Sequence, residues 1–357
     1  MLHKNPAVLV FALTIILASV FLHSLKNQLG VISQINSDKN VESLETSTQN
    51  LPSINIDYLR NLKIDSPALV IEETLSNGSN YKRYIASYDS SGNKIFGLLT
   101  VPNGDIPEGG FSAIVFNHGY IQPAQYKTAE KYIAYVGYLA RNGFVVFNID
   151  MRGHGNSEGV ATGSYFSSKY TIDAISALKS LQKLDYINPQ KIGMWGHSMA
   201  GNLSLRASLV EPDIKAVVIW AGAVYSYQDF AKFRLNDNSY VRRPSDPHYA
   251  NEDLTEEFQS KVSELRDNSA QVNFNDEFWT GVSLTKNLKY LNIPIQIHHS
   301  VNDPVVNVGY SRDLAEVLKN ENKQYELFEY QGGGHSIDSP YFEQAMQKTV
   351  EFFNENL

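Results

Sequence analysis

The sequence predicts an α/β fold: a mostly parallel, doubly wound sheet interrupted by one helical insertion. Three observations carry that prediction. SAIVFNHG (112–119), FVVFNID (144–150), IKAVVIWAG (214–222) and IPIQIHHS (293–300) are near-continuous apolar runs. A strand covered on only one face would alternate instead, so these strands are expected to be buried on both faces. Segments between them carry apolar residues at helical spacing, the strand–helix alternation of a sheet with helices on both sides. Finally, the roughly 70 residues from Ala223 to Asn292 break the rhythm, and an ordinary connection is far shorter.

The elements follow in chain order. In the first segment, Lys4 precedes an apolar stretch from Pro6 to Leu22, at the short end of what crosses a bilayer as a helix. No clean small-residue cleavage site follows it, so residues 1–26 are expected to form an uncleaved signal anchor or transmembrane helix. Lys4 would stay inside and the domain that follows would be extracytoplasmic, with Lys26 weakening that orientation; a secreted, cleaved form is the alternative. Residues 27–53 are dominated by Ser, Asn, Thr and Gln with little to bury, and read as a polar linker. The remaining residues, 54–357, form one domain.

Within that domain PALVIEETL (67–75) and residues 81–101 read as strands, the latter folded into a hairpin at Asp89–Asn93. Lys127–Arg141 carries Tyr132, Ile133, Val136, Leu139 and Ala140 at helical spacing. Thr171–Leu184 does so with Ile172, Ile175, Leu178 and Leu181. Lys191–His197 is a strand and Met199–Leu209 a helix. A helix over 309–320, a strand over 325–330 and a helix over Tyr341–Asn354 close the chain. The insertion, about 223–292, reads as a helical cap whose Tyr225, Tyr227, Phe230, Phe233, Phe258, Phe274, Phe278 and Trp279 form its own small core.

Composition narrows the chemistry. A formal net charge of −8 with no long basic run argues against nucleic acid as a partner. With no cysteine in the chain, disulfides, thiolate catalysis and zinc–cysteine sites are excluded.

What remains is a serine. In KIGMWGHSMAGN (191–202), Ser198 follows an apolar strand, with Gly196 two residues before it, Ala200 two after it and Gly201 next. Small neighbours let strand and helix approach closely and hold the hydroxyl at the strand's carboxyl end, the context of a G-x-S-x-G nucleophile elbow. Ala200 departs from the last glycine of that pattern. A serine hydroxyl needs a base and a group that orients the base. His335 lies in the glycine-rich GGGHSI loop after the last strand. His298 and His299 are adjacent on a strand and face opposite ways, His118 and His154 precede glycines in loops, and His248 lies in the insertion, so His335 is the best-placed base. Asp303 in SVNDPVVN follows the strand 293–300, where Pro304 fixes a turn. It is the best-placed acid, ahead of Glu329 and Asp338, and its plainer reading is a turn aspartate. The amides of Met199, after the serine, and of Tyr120 in FNHGY are candidate donors to a developing oxyanion. The Tyr120 ring is expected to line the pocket wall. This chemistry requires no metal and no organic cofactor.

SSGNKIFGLLTVP, FNHGY, LARNGFVVFNIDMRGHGNSEG, NPQKIGMWGHSMAG, SVNDPVVN and GGGHSI occur in this order over residues 85–357. In that combination the chain resembles an α/β-hydrolase, and more narrowly the catalytic domain of the prolyl oligopeptidase family and its esterase relatives. The resemblance implies Ser198, Asp303 and His335 as a triad, Tyr120 and Met199 as oxyanion donors, and Asp150, Arg152, Gly153 and Gly155 as shapers of a loop. Two departures stand out. These 357 residues have no room for the several-hundred-residue propeller of the large oligopeptidases, and the elbow reads G-H-S-M-A-G where the family usually has G-G-S-Y-G-G. The expected function is therefore a serine hydrolase acting on a short peptide or a small-molecule ester: a prolyl-oligopeptidase-like serine peptidase, or alternatively a carboxylesterase. A third alternative is a non-catalytic surface binding module.

Overall fold

The computed structural model describes residues 53–233 and 256–357, which belong to one compact unit, Pro52–Leu357. The expected anchor, residues 1–26, lies outside the described residues, as does the linker 27–53 except for Ser53. Among the described residues no helix is long and apolar enough to cross a membrane.

A short helix, α1 (Ile56–Asn61), precedes the sheet and was not anticipated. Its Asn55 cap accepts from the Tyr58 amide, and Ile56 and Leu59 are buried. Six residues are too few to show helical periodicity in a sequence. The strands are β1 (Val70–Leu75), β2 (Tyr81–Ser90), β3 (Asn93–Pro102), β4 (Phe111–Asn117), β5 (Val145–Ile149), β6 (Ile187–His197), β7 (Val217–Trp220), β8 (Ile295–Ser300) and β9 (Tyr325–Tyr330). They form one sheet in the order β1-β2-β3-β5-β4-β6-β7-β8-β9. The first three pair antiparallel, as does β3 with β5, and the rest are parallel. The β2–β3 hairpin closes with Ser90 opposite Asn93, where the turn was expected.

Burial follows the apolar runs. Every residue of β5, β7 and β8 is buried, whereas β1, an edge strand, is exposed along most of its length. Helices α2 (Ile133–Arg141) and α9 (Phe342–Asn356) pack into one core around Trp195 and Trp220. Helices α3 (Lys169–Leu181), α4 (Met199–Val210) and α8 (Gly309–Asn320) pack into the core on the opposite side. The connection between β7 and β8 carries α5 (Tyr227–Phe233), α6 (Glu256–Asn268) and α7 (Glu277–Val282). Its aromatics do not make a separate small core. Tyr225, Tyr227, Phe258 and Trp279 are buried within the same cluster as α3 and α4. The physical reason is continuity: Tyr227 packs against Trp279 and Phe166 with tilted rings in one aromatic run.

Several details differ from the sequence reading. β6 begins at Ile187, hidden in the sequence by the polar Asn-Pro-Gln that follows, and its register against β4 is irregular there, where Pro189 has no amide to donate. α2 starts at Ile133 because Tyr132 adopts a left-handed conformation with φ 58°. Ile172 is only half-buried, and Tyr170, Thr171 and Ala174 cover the inner face instead.

A buried ion pair ties the antiparallel wing to the parallel half. Arg152, just past β5, meets Asp173 on α3 through Nη2 at 2.6 Å and Nε at 3.0 Å. The Ser90 hydroxyl donates to the same carboxylate at 2.7 Å, and Tyr88 donates to the Asp173 carbonyl at 2.9 Å. Both charged side chains are almost fully buried. Removing one partner leaves the other charge uncompensated in the interior. Asp173→Ala is therefore expected to destabilise the fold by about 3–5 kcal/mol, read as a lowered midpoint in chemical denaturation, while an Arg152→Met, Asp173→Leu double variant recovers much of that loss.

Candidate active site

The strand order places the site. From β4 the chain crosses over to β5 on one side and later returns to β6 on the other, so the crossovers diverge where β4 and β6 lie side by side. Crevices in such sheets open outside the carboxyl ends of the strands at this point. Gly119 follows β4 there, and Ser198 follows β6.

Ser198 occupies the turn between β6 and α4 with φ 56° and ψ −121°, a conformation that non-glycine residues rarely adopt. Neighbouring contacts hold it in place. Its amide donates to the Trp220 carbonyl at 2.8 Å, and its carbonyl accepts from Gly201 at 2.9 Å. A β-carbon at Gly196 would lie 2.3 Å from the Ala200 carbonyl oxygen, so only glycine fits there. The departure at Ala200 is explained by the next residue. There, at Gly201, a β-carbon would lie 2.8 Å from the Gly222 α-carbon and 2.8 Å from Ile219 Cγ2 of β7.

His335 sits in a 3₁₀ turn entered through Gly333 and Gly334, with φ 95° and 61°. Its Nδ1 lies 2.7 Å from Asp303 Oδ2, which leaves Nε2 as the ring's proton acceptor. The other Asp303 oxygen accepts from the amides of Val305 and Val306 at 2.8 and 2.9 Å. The aspartate thus fixes its own turn and faces the histidine at once. Burial works against its charge, yet hydrogen bonds from His299 and His335 prevail and hold the carboxyl well below the usual range. The alternatives fall away. Glu329 is engaged by Arg312 on the surface at 2.6 and 2.7 Å, and His335 Nδ1 is taken by Asp303, not Asp338.

His299 was set aside in the sequence because its neighbour faces the other way. His298 does turn away, to Tyr330 and Gln296. His299 points inward, with Nε2 3.3 Å from Asp303 Oδ2 and 3.0 Å from the Val306 carbonyl. A carbonyl only accepts, so Nε2 carries the proton and Nδ1 accepts from Ser311 at 2.7 Å. The i,i+4 separation from Asp303 was the available signal.

The parts converge through the residues beside them. A β-carbon at Gly119 would lie 3.1 Å from Ser198 Cβ and 3.0 Å from His197 Nδ1. The His197 ring lies 4.6 Å from that of His335, and its Nε2 donates to the His335 carbonyl at 2.9 Å. Ser198, Asp303, His335, Met199 and the Gly119–Tyr120 step therefore share one end of the sheet, with the Tyr120 side chain 40% exposed. His118 and His154 lie buried nearby. His118 bonds the carbonyls of Gly119 and Asp150, and His154 that of Ile121. His248 falls outside the described residues. Among the described residues, no group of three or more His, Cys, Asp and Glu is placed to hold a metal ion.

The family model described as serine aminopeptidase, S33, matches residues 111–338, and the chain belongs to that family, a class of serine hydrolases with the α/β-hydrolase fold. Human protein ABHD12B is 26% identical over 217 residues, 60% of this chain and 51% of that protein. The chain spans about a quarter to a half of the length of the curated relatives it matches. Two solved structures show the same fold. Acetyl xylan esterase 1 from Thermoanaerobacterium sp. JW/SL YS485 has a TM-score of 0.57 at 17% identity, covering 83% of this chain and 90% of the esterase. Pyrococcus horikoshii acylaminoacyl peptidase has a TM-score of 0.59 at 16% identity, covering 78% of this chain and 42% of the peptidase.

Behind the Gly119 loop, Asp150 is buried and accepts from Tyr126 at 3.0 Å and from Thr128 at 2.5 Å. Burial outweighs those bonds and pushes its carboxyl up from 3.8 to about 7. The folded state thus binds this proton more tightly than the unfolded chain. The stabilisation that results is complete below the ordinary carboxyl value and is lost as pH rises through about 7. Denaturation midpoints followed from acid to neutral pH should therefore carry a downward contribution from Asp150, and Asp150→Asn should remove it.

Proposed function

We propose that the protein is a serine hydrolase that cleaves ester or amide bonds through an acyl-enzyme, with Ser198 as nucleophile, His335 as base and Asp303 as its orienting acid. The observation that carries this reading is the 2.7 Å Asp303–His335 bond, set beside a serine held at φ 56°. In the proposed reaction the Ser198 hydroxyl gives its proton to His335 Nε2 as Oγ attacks the substrate carbonyl carbon. The carbonyl oxygen gains the negative charge, and the amides of Met199 and Tyr120 donate to it. The bond to the leaving group then breaks, with the proton passing from His335 Nε2 to that group. Water attacks the acyl-enzyme, giving one proton to His335, which returns it to Ser198 as the acid departs.

For the substrate we favour a peptide-type acyl donor, in keeping with the family's description as serine aminopeptidases. A second reading, a carboxylesterase for small acyl esters, has a specific support: this chain covers 90% of acetyl xylan esterase 1, a protein of similar extent. The apolar stretch Pro6–Leu22 supports membrane anchoring with the catalytic domain outside the cytoplasm.

The test is a pair of initial rates for the full-length protein, on short-chain nitrophenyl esters and on aminoacyl nitroanilides. Ser198→Ala is expected to lower either rate by about 10⁴-fold or more, and Asp303→Asn by about 10⁴-fold, with folding intact by circular dichroism. Anilide turnover lost in Ser198→Ala supports the peptidase, and ester turnover alone supports the esterase. Full activity in Ser198→Ala overturns the assignment.

A further inference from the structure

Three loops must hold their spacing for the proposed chemistry: the one after β4 that carries Tyr120, the elbow, and the loop of His335. One side chain touches all three. His197, the residue before the serine, is buried and hydrogen-bonded at both ring nitrogens. The direction of each bond can be assigned. The Gly119 amide can only donate, so it gives its proton to the Tyr132 hydroxyl oxygen, 3.0 Å away. The His335 carbonyl can only accept, so His197 Nε2 bears a proton and donates across 2.9 Å. His197 Nδ1 is then the acceptor for the Tyr132 hydroxyl proton at 2.7 Å. All three bonds run one way, from Gly119 through Tyr132 and His197 to His335, and such chains reinforce themselves.

The packing supports the same arrangement. Tyr132 sits at the start of α2 with φ 58°, so the turn that opens the helix aims its ring into the site. Its ring lies 5.6 Å from that of His197, edge to face, and Trp195 stacks against His197 from below. Burial also lowers the His197 ring to about 3, with the neighbouring His335 adding to the effect, so the ring stays neutral and Nδ1 keeps its lone pair. A protonated ring would have two donors and no acceptor for Tyr132.

We propose that His197 and Tyr132 are positioning residues: together they set the distance between the loop after β4 and the loop of the catalytic histidine. Neither touches the reacting atoms. The proposal rests on the serine-hydrolase reading above and adds to it a specific demand on two residues outside the triad.

The test uses Tyr132→Phe, which keeps the ring and deletes only the hydroxyl, beside His197→Phe and the double variant. Assays use whichever ester or anilide the parent protein turns over, with Ser198→Ala as blank. Misplacing one loop by a fraction of an ångström is expected to lower kcat about 10- to 100-fold in each single variant, with KM within about threefold. The double variant should be no slower than the slower single one, because Tyr132 acts through His197. Thermal midpoints of Tyr132→Phe should stay near the parent's. A readout independent of turnover comes from nitrogen NMR of the histidine rings. The parent should show His197 as a neutral Nε2–H tautomer that does not titrate between about pH 5 and about pH 9, and Tyr132→Phe should move its Nδ1 resonance.

Parental kcat in Tyr132→Phe, additive losses in the double variant, or a titrating His197 would each overturn the inference while leaving the triad in place. A parent with no turnover and no labelling of Ser198 by a fluorophosphonate overturns the hydrolase reading and this inference together.

Discussion

The site depends on one unfavourable backbone conformation. Ser198 at φ 56° and ψ −121° is a residue with a side chain in a region suited to glycine, and conformations of this kind cost on the order of 1–3 kcal/mol. It persists because the surroundings leave no alternative. β6 feeds in from one side, α4 leaves on the other, and Gly196 and Gly201 let both approach within distances that a β-carbon would prevent. Met151 and Ala221 take up positive φ at 59° and 49° just past β5 and β7, so the edge of the sheet that faces the crevice concentrates these turns.

Around the elbow, buried polar groups are arranged so that most donors have an assigned acceptor. Asp303 takes two amides on one oxygen and two imidazoles on the other. The loop carrying His335 is tied by the Ser300 hydroxyl to the Gly332 carbonyl at 2.7 Å and by Tyr135 to the Ser336 carbonyl at 2.8 Å. In a buried, low-dielectric setting each such bond is costly to break, which holds the His335 loop in place.

Much of this was legible in the residues, and the reasons are specific. The parallel strands announced themselves because burial on both faces favours apolar residues at successive positions, as in the VVIW of β7. The elbow was readable because steric demand writes small residues at fixed offsets from the serine. What escaped notice was whatever depends on contacts between distant segments. His299 reaches Asp303 only because a turn folds residues 303–306 back over the strand end, a relation no periodicity encodes. His197 looked like an arbitrary middle letter of G-x-S, since its partners are 65 and 138 residues away. The aromatics of the insertion read as a separate cluster because sequence shows their neighbours along the chain and not Phe166, which meets Tyr227 from another loop.

The Arg152–Asp173 pair draws on residues beyond those that the family shares. The family match begins at residue 111, yet Asp173 draws two of its polar contacts from Ser90 and Tyr88 in the antiparallel wing before that point. The match stops at 338, yet Phe353 on the last helix fills the space over Gly193, in the strand that leads to the serine. A fragment trimmed to the region the family shares would retain Ser198, Asp303 and His335 and lose what seals a buried charge and the base of their strand. Residues on both flanks of the matched region, Tyr88 and Ser90 on one side and Phe353 on the other, thus help to pack the matched region from outside it.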